Sequence, residues 1–298
     1  MTERALDARP FRFGVNLLTV ASRKEWQTRC RQAENLGYDV IAVPDHLGLP
    51  APFPALVSAA EATERPRLAV FVLNAGFYNP TLLARDLAGT DQMVDGRLEV
   101  ALGTGYVKAE FDAAGLPWQP TAARIDHLQR TVLEIRSLLT DRTHRPQPAQ
   151  HPMPPLMIAG NGDRVLRLAA EHADSIGFSG AAPGEDPGRL RLLKAESLAG
   201  RIAHVKKAAG ERFAQIELNL LVHAVAIDGD RRRAVANLRR FEDRMSDDEL
   251  SEIPTVLSGP PEEIADTLRS HRDNFGITYF TVSEPAMHDF ARVLALLR

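Results

Sequence analysis

The 298-residue chain has a single cysteine, Cys30. One thiol excludes an internal disulfide framework and a cysteine-based zinc cluster, and it fits a reducing compartment. No apolar run approaches the roughly 18 residues of a membrane span, and residues 1–9 (MTERALDAR) lack the apolar core of a secretory signal. A cytoplasmic location is therefore expected, with residues 1–9 loose until Pro10 leads into the first strand. Neither sign of charge dominates. With a net charge of -3 and a pI of about 6.3, no global field recruits nucleic acid or an anionic membrane. The nine histidines form no HExxH and no paired ligand spacing, so no metal is expected, and the absence of a GxSxG elbow argues against a serine hydrolase.

What is present is ordinary globular composition, 44% hydrophobic and 25% charged, in a chain near the roughly 250 residues of one TIM barrel. Eight strand-like runs can be read in order: 11–17, 39–44, 68–73, 97–102, 156–159, 175–178, 216–227 and 277–282. In Val40-Ile41-Ala42-Val43 the apolar residues do not alternate, the pattern of a strand covered on both faces. Helices are predicted over 23–36, behind a Ser22 cap, and over 54–63, 80–93, 121–139, 164–171, 190–209, 230–245 and 260–275, with a last helix ending the chain. Strands alternating with helices bury both faces of a parallel sheet, and closing eight of them leaves no edge. One α/β domain over residues 1–298, a (β/α)8 barrel, is the simplest architecture, and an open doubly wound sheet is its rival. Five prolines between Asp141 and Pro155 mark an extended loop and candidate lid; it is expected to shape the pocket with segments 106–120 and 179–188.

Parallel α/β folds keep their chemistry at the carboxyl ends of their strands. Asp45-His46 stands at such an end. A histidine there can exchange a proton near neutral pH, with the adjacent carboxylate to orient it; away from a buried strand the same pair would read as a surface cap. Gly103-Thr104-Gly105 also follows a strand, but Lys108 occupies the third-glycine position of a dinucleotide fingerprint, which is not met. Its glycines either admit a flat ligand or make a tight turn. Gly160-Asn161-Gly162-Asp163-Arg164 opens a helix and is either a phosphate cradle or a plain βα turn. His223, within a strand, reads as a satisfied core histidine, and Arg124 as a loop-pinning or solvated charge.

Several runs carry a resemblance. Gly37-Tyr38-Asp39 through Pro44-Asp45-His46, Phe71-Val72-Leu73 through Asn79-Pro80, Gly96-Arg97 through Gly103-Thr104-Gly105, Leu257 through Ala265, and Phe275 through Phe280 occur in an order and spacing that resemble the bacterial luciferase-like flavin and deazaflavin oxidoreductases. Within that superfamily the chain is most similar to the branch using coenzyme F420, an 8-hydroxy-5-deazaflavin. The resemblance implies a TIM barrel with a flat tricyclic cofactor at its carboxyl rim. It implies that Asp45 and His46 contact cofactor and reacting centre, that a non-proline cis peptide at Phe71-Val72 forms a bulge behind the ring, and that Asn74 is a polar ring contact. Gly103, Gly105 and Tyr106 are expected beside the ring, and Ala159, Gly160, Asn161, Gly162 and Arg164 near the phosphate-bearing tail. The glutamate and asparagine that the F420-dependent sugar-phosphate dehydrogenases carry after this turn are replaced by Tyr106 and Ala109, which makes glucose-6-phosphate a poor substrate expectation. The implied activity is F420-dependent reduction of a C=C or C=N bond in a small organic molecule, with His46 moving the proton and Asp45 orienting it. An FMNH2-dependent monooxygenase and a non-catalytic ligand-binding paralogue are the alternatives, and a homodimer is expected.

Overall fold

A computed structural model describes residues 9–18, 22–183, 190–227, 238 and 245–298. Its strands are β1 (Arg12–Asn16), β2 (Val40–Val43), β3 (Arg67–Asn74), β4 (Leu98–Gly103), β5 (Leu156–Ala159), β6 (Ser175–Phe178), β7 (Ala181–Pro183), β8 (Leu190–Leu192), β9 (Glu217–Leu221), β10 (Ala224–Ile227), β11 (Val256–Gly259) and β12 (Ile277–Ser283). Eight of them close a barrel in the order β1-β12-β9-β6-β5-β4-β3-β2, with every adjacent pair parallel. These eight are the runs read from sequence, and closure rules out the open sheet.

Each strand shows one face to the helices and one to the barrel lumen, which is why alternation is weak in the sequence. Ile41, Val43, Leu68, Val70, Leu98, Val100 and Ile158 belong to the large core under the helical layer. Val40, Ala42, Ala69, Ala101, Met157 and Tyr279 form a separate small cluster, with Phe71 and Val72 packed against it. At the amino-terminal pole the lumen is polar. There Arg12 bonds Glu217 at 2.7 Å and Glu99 at 2.5 Å, and Arg67 reaches Glu99 at 3.0 Å. Arg12 also lies 4.4 Å over the Tyr279 ring. Charges of both signs thus close the end of the barrel opposite the carboxyl rim.

Several boundaries differ from the sequence reading. The run 216–227 divides: β9 ends at Leu221, and β10 leaves the barrel to pair with β11 in a small parallel sheet. The turn is made where Val222 still donates its N–H to Thr281 O while His223 donates to Thr255 O, so the hydrogen-bonding partner changes within one uninterrupted apolar run. The helix expected from residue 190 begins at Ala195, because Leu190–Leu192 pairs antiparallel with Ala181–Pro183. Pro52 starts its helix two residues early, at a position where its missing N–H costs nothing. Between 106 and 120 lies a six-residue helix, Lys108–Ala113.

The expected lid at 141–155 is a correction. As an αβ connection it returns to the amino-terminal pole, where Gln150 bonds Asp91, Leu98 O and Arg67. It therefore faces away from the carboxyl rim. The helix expected over 230–245 lies outside the described residues apart from 238 and 245, as do residues 1–8 of the N-terminal stretch expected to be loose and positions 184–188 of the 179–188 loop. Among the described residues, no helix is long and apolar enough to cross a membrane.

Candidate active site

Because the barrel strands are parallel, the ends of β2, β3, β4 and β5 open on one rim, and the candidate residues meet there. Asp45 follows β2, and its Oδ2 accepts the Asn74 N–H at 2.9 Å from the end of β3. The Tyr78 hydroxyl also interacts with this carboxylate. Burial pushes the Asp45 carboxyl above its ordinary value; the Asn74 N–H, the Tyr78 hydroxyl and His46 pull it down, and the Glu110 charge pushes it up. Asp45 therefore works as a tie between two strand ends.

His46 is partly exposed, and its Nδ1 lies 2.8 Å from Glu110 Oε1. The carboxylate on the imidazole is thus Glu110, whereas the sequence reading gave the orienting role to the adjacent Asp45. Glu110 sits on the helix Lys108–Ala113, whose buried Phe111 packs against Phe77 at 5.2 Å and Trp118 at 5.1 Å between ring centroids. Tyr106 meets the His46 ring edge-on at 5.9 Å and is largely exposed. The signal for Glu110 was local: a carboxylate one helical turn beyond the GTG segment. Nothing in the spacing showed which group it would reach.

Behind this group, the Phe71-Val72 peptide is cis, as the resemblance implied. The β3–β4 register shifts between Val70 and Leu73, so Phe71 and Val72 bulge out of the ladder. Gly103 stands opposite, where a Cβ would meet Val72 Cγ2 at 3.0 Å. Gly105 has a φ of +69°, and any side chain there would overlap the Asn74 amide. Arg124 donates to Gly105 O and stacks 4.0 Å from the Trp118 ring centroid, so it pins this turn. Asn74 is buried, and its Oδ1 accepts the Gly76 N–H at 3.1 Å.

The β5 end forms a second group. Ala159 closes the strand, and Gly160 packs so tightly on Val165 that a Cβ would fall 2.6 Å from its Cγ1. Gly162 precedes the helix Asp163–His172 without a side-chain cap, and a Cβ there would meet nothing within 4 Å. Asn161 Nδ2 donates to Ser179 Oγ at 2.9 Å and to Ala181 O, while its buried Oδ1 has no partner. Arg164 points elsewhere: it pairs with Asp126 at 2.6 Å on the exposed surface. His223 is a satisfied histidine, its Nε2 2.6 Å from Ser179 O, and burial lowers its pKa. No group of three or more His, Cys, Asp or Glu side chains able to hold a metal occurs among the described residues.

Comparison with known proteins bears on the family and the fold. Residues 9–279 match the model of the luciferase-like monooxygenases. The chain is 27% identical to an F420-dependent glucose-6-phosphate dehydrogenase of Intrasporangium calvum, over 88% of this chain and 89% of that protein. Its fold is similar to that of an F420-dependent secondary alcohol dehydrogenase solved with an F420-acetone adduct, with a TM-score of 0.75, 19% identity, and 97% of this chain and 98% of that one covered. The coenzyme F420-dependent tetrahydromethanopterin reductase of Methanopyrus kandleri superposes with the same TM-score at 17% identity, again over 97% and 98% of the two chains.

Proposed function

The chain belongs to the luciferase-like monooxygenase family, and on that premise we propose that it is an F420-dependent oxidoreductase that reduces a C=C or C=N bond of a small organic substrate. One observation carries the reading: His46, a residue type able to exchange a proton near neutral pH, follows β2 beside the bulged, glycine-faced mouth between β3 and β4. The F420 dependence named for the Intrasporangium relative, over nearly the full length of both chains, supports this choice of cofactor.

The residues present fit such a group. Phe71 and Val72 supply an apolar backing, and Gly103 and Gly105 keep side chains out of the mouth. Free space in front of Gly162, an uncapped helix start and the unpartnered Asn161 Oδ1 suit a polar, phosphate-bearing tail. Arg164 would have to leave Asp126 to join them. A deazaflavin held by these residues would supply hydride-transfer chemistry. The chain's own residues do the rest. Asp45 locks the β2 and β3 ends together, and His46 delivers or removes the proton that accompanies the hydride. With Tyr106 and Ala109 in place of an acid and an amide, glucose-6-phosphate is not the substrate this mouth is built for.

Anaerobic fluorescence titration with F420 and with FMN separates this reading from oxygen chemistry on the same fold. Saturable F420 binding with a Kd on the order of micromolar is expected. Binding of FMN alone at that level would overturn the cofactor assignment in favour of a flavin monooxygenase. Binding of neither would favour a non-catalytic paralogue.

A further inference from the structure

We propose that Glu110 is the positioning residue of this site, holding a proton on His46 Nδ1 so that Nε2 is the nitrogen that exchanges protons with the substrate. The chemistry of the pair leads there directly. A carboxylate can only accept, so an imidazole nitrogen 2.8 Å from Glu110 Oε1 must carry the hydrogen. That leaves the lone pair of the neutral ring on Nε2. When Nε2 takes a proton, the resulting imidazolium still donates from Nδ1 to a carboxylate that keeps its charge. When Nε2 releases the proton, the same tautomer returns. Glu110 neither gains nor loses a proton in either direction.

Three features set Glu110 apart from a surface carboxylate that happens to lie close. Its side chain is only 15% exposed, so the charge-assisted bond is stronger than the same pair in water. Its helix is seated by Phe111, between Phe77 and Trp118, and the absence of a side chain at Gly76 makes room for that ring. Finally, the more obvious partner is committed elsewhere, since Asp45 accepts the Asn74 N–H at 2.9 Å. The segment after the GTG turn thereby supplies its acid from a position one helical turn beyond Tyr106, acting on His46 rather than on substrate.

The tautomer assignment stands independently of the cofactor, and only its kinetic consequence rests on the function proposed above. The protein is labelled with 15N-histidine, and the long-range 1H–15N pattern of His46 is identified by its loss in His46→Asn. At about pH 8, where an ordinary imidazole is neutral, the wild type is expected to show its proton on Nδ1. Glu110→Ala is expected to move it predominantly to Nε2 and to lower kcat about 100-fold, with the F420 Kd changed less than threefold. Glu110→Gln keeps an acceptor but removes the charge, and is expected to retain part of the Nδ1 tautomer with an intermediate kcat. A wild-type proton on Nε2 overturns the proposal without any variant being made. So does a folded Glu110→Ala protein with unchanged tautomer and kcat. Failure of F420 to bind, with the tautomer as expected, refutes the cofactor reading and leaves the role of Glu110 in place.

Discussion

At the scale of single residues, burying the Asp45 carboxyl is expected to cost stability. Burial raises its carboxyl above the ordinary value of 3.8. Between that value and the raised one, the folded protein keeps a proton that the unfolded chain has released, so stability falls as pH rises through this interval and stays reduced at neutral pH. Asp45→Asn keeps an oxygen for the Asn74 N–H while removing the charge. It is expected to raise Tm at pH 7 by about 1–3 °C in scanning calorimetry, and to weaken F420 binding in the same titration that tests the wild type. An unchanged or lower Tm would mean that the Asn74 bond outweighs the cost of burying the charge. Cys30 is fully buried, and its thiol is pushed up to about 12 by burial, so it packs as an inert side chain.

At the scale of elements, the two poles of the barrel have separate tasks. Glu99, at the start of β4, accepts from both Arg12 and Arg67 at the pole opposite the site. Glu99→Gln removes the carboxylate that the two guanidinium groups share, leaving Arg12 to Glu217 and Arg67 to neutral oxygens in a partly desolvated lumen. A loss of about 2 kcal/mol is expected, below the range for fully buried pairs because both arginines keep some exposure. In a chain of this length that lowers Tm by about 3 °C. F420 affinity is expected to be unchanged, and a parallel loss of affinity would show that the lower network shapes the rim. The proline-rich loop 141–155 belongs to this lower pole through Gln150. Its composition suggested a lid, but in an alternating β/α chain every connection that leads from a helix into a strand lies at the amino-terminal end.

At the scale of the whole molecule, buried and half-buried histidines are expected to set the acid limit. Burial is the leading cause of a lowered pKa at His172, His223 and His271. As pH falls below the ordinary 6.5, the unfolded chain takes up protons that the folded protein refuses, so stability present at neutral pH is lost on acidification. Tm followed by scanning fluorimetry is expected to fall steadily from about pH 7 to about pH 5. His223→Gln can still donate to Ser179 O and is expected to flatten that slope. An identical slope in the variant would assign the acid sensitivity to other groups.

The eight barrel strands and most of the helices between them were legible in the sequence, because covering a strand on both faces requires runs such as Val40–Val43 and closure requires eight of them in alternation. Asp45, His46 and the Phe71-Val72 bulge were legible through their places at strand ends and through family resemblance. Tertiary structure alone decided that Leu190–Leu192 pairs as a strand, that β10 departs from β9, that Arg164 turns to Asp126, and that Glu110 rather than Asp45 faces His46. Periodicity records which face of an element is buried. Which distant group meets a side chain depends on barrel closure and on how the Lys108–Ala113 helix is seated, and neither leaves a repeating mark in the chain.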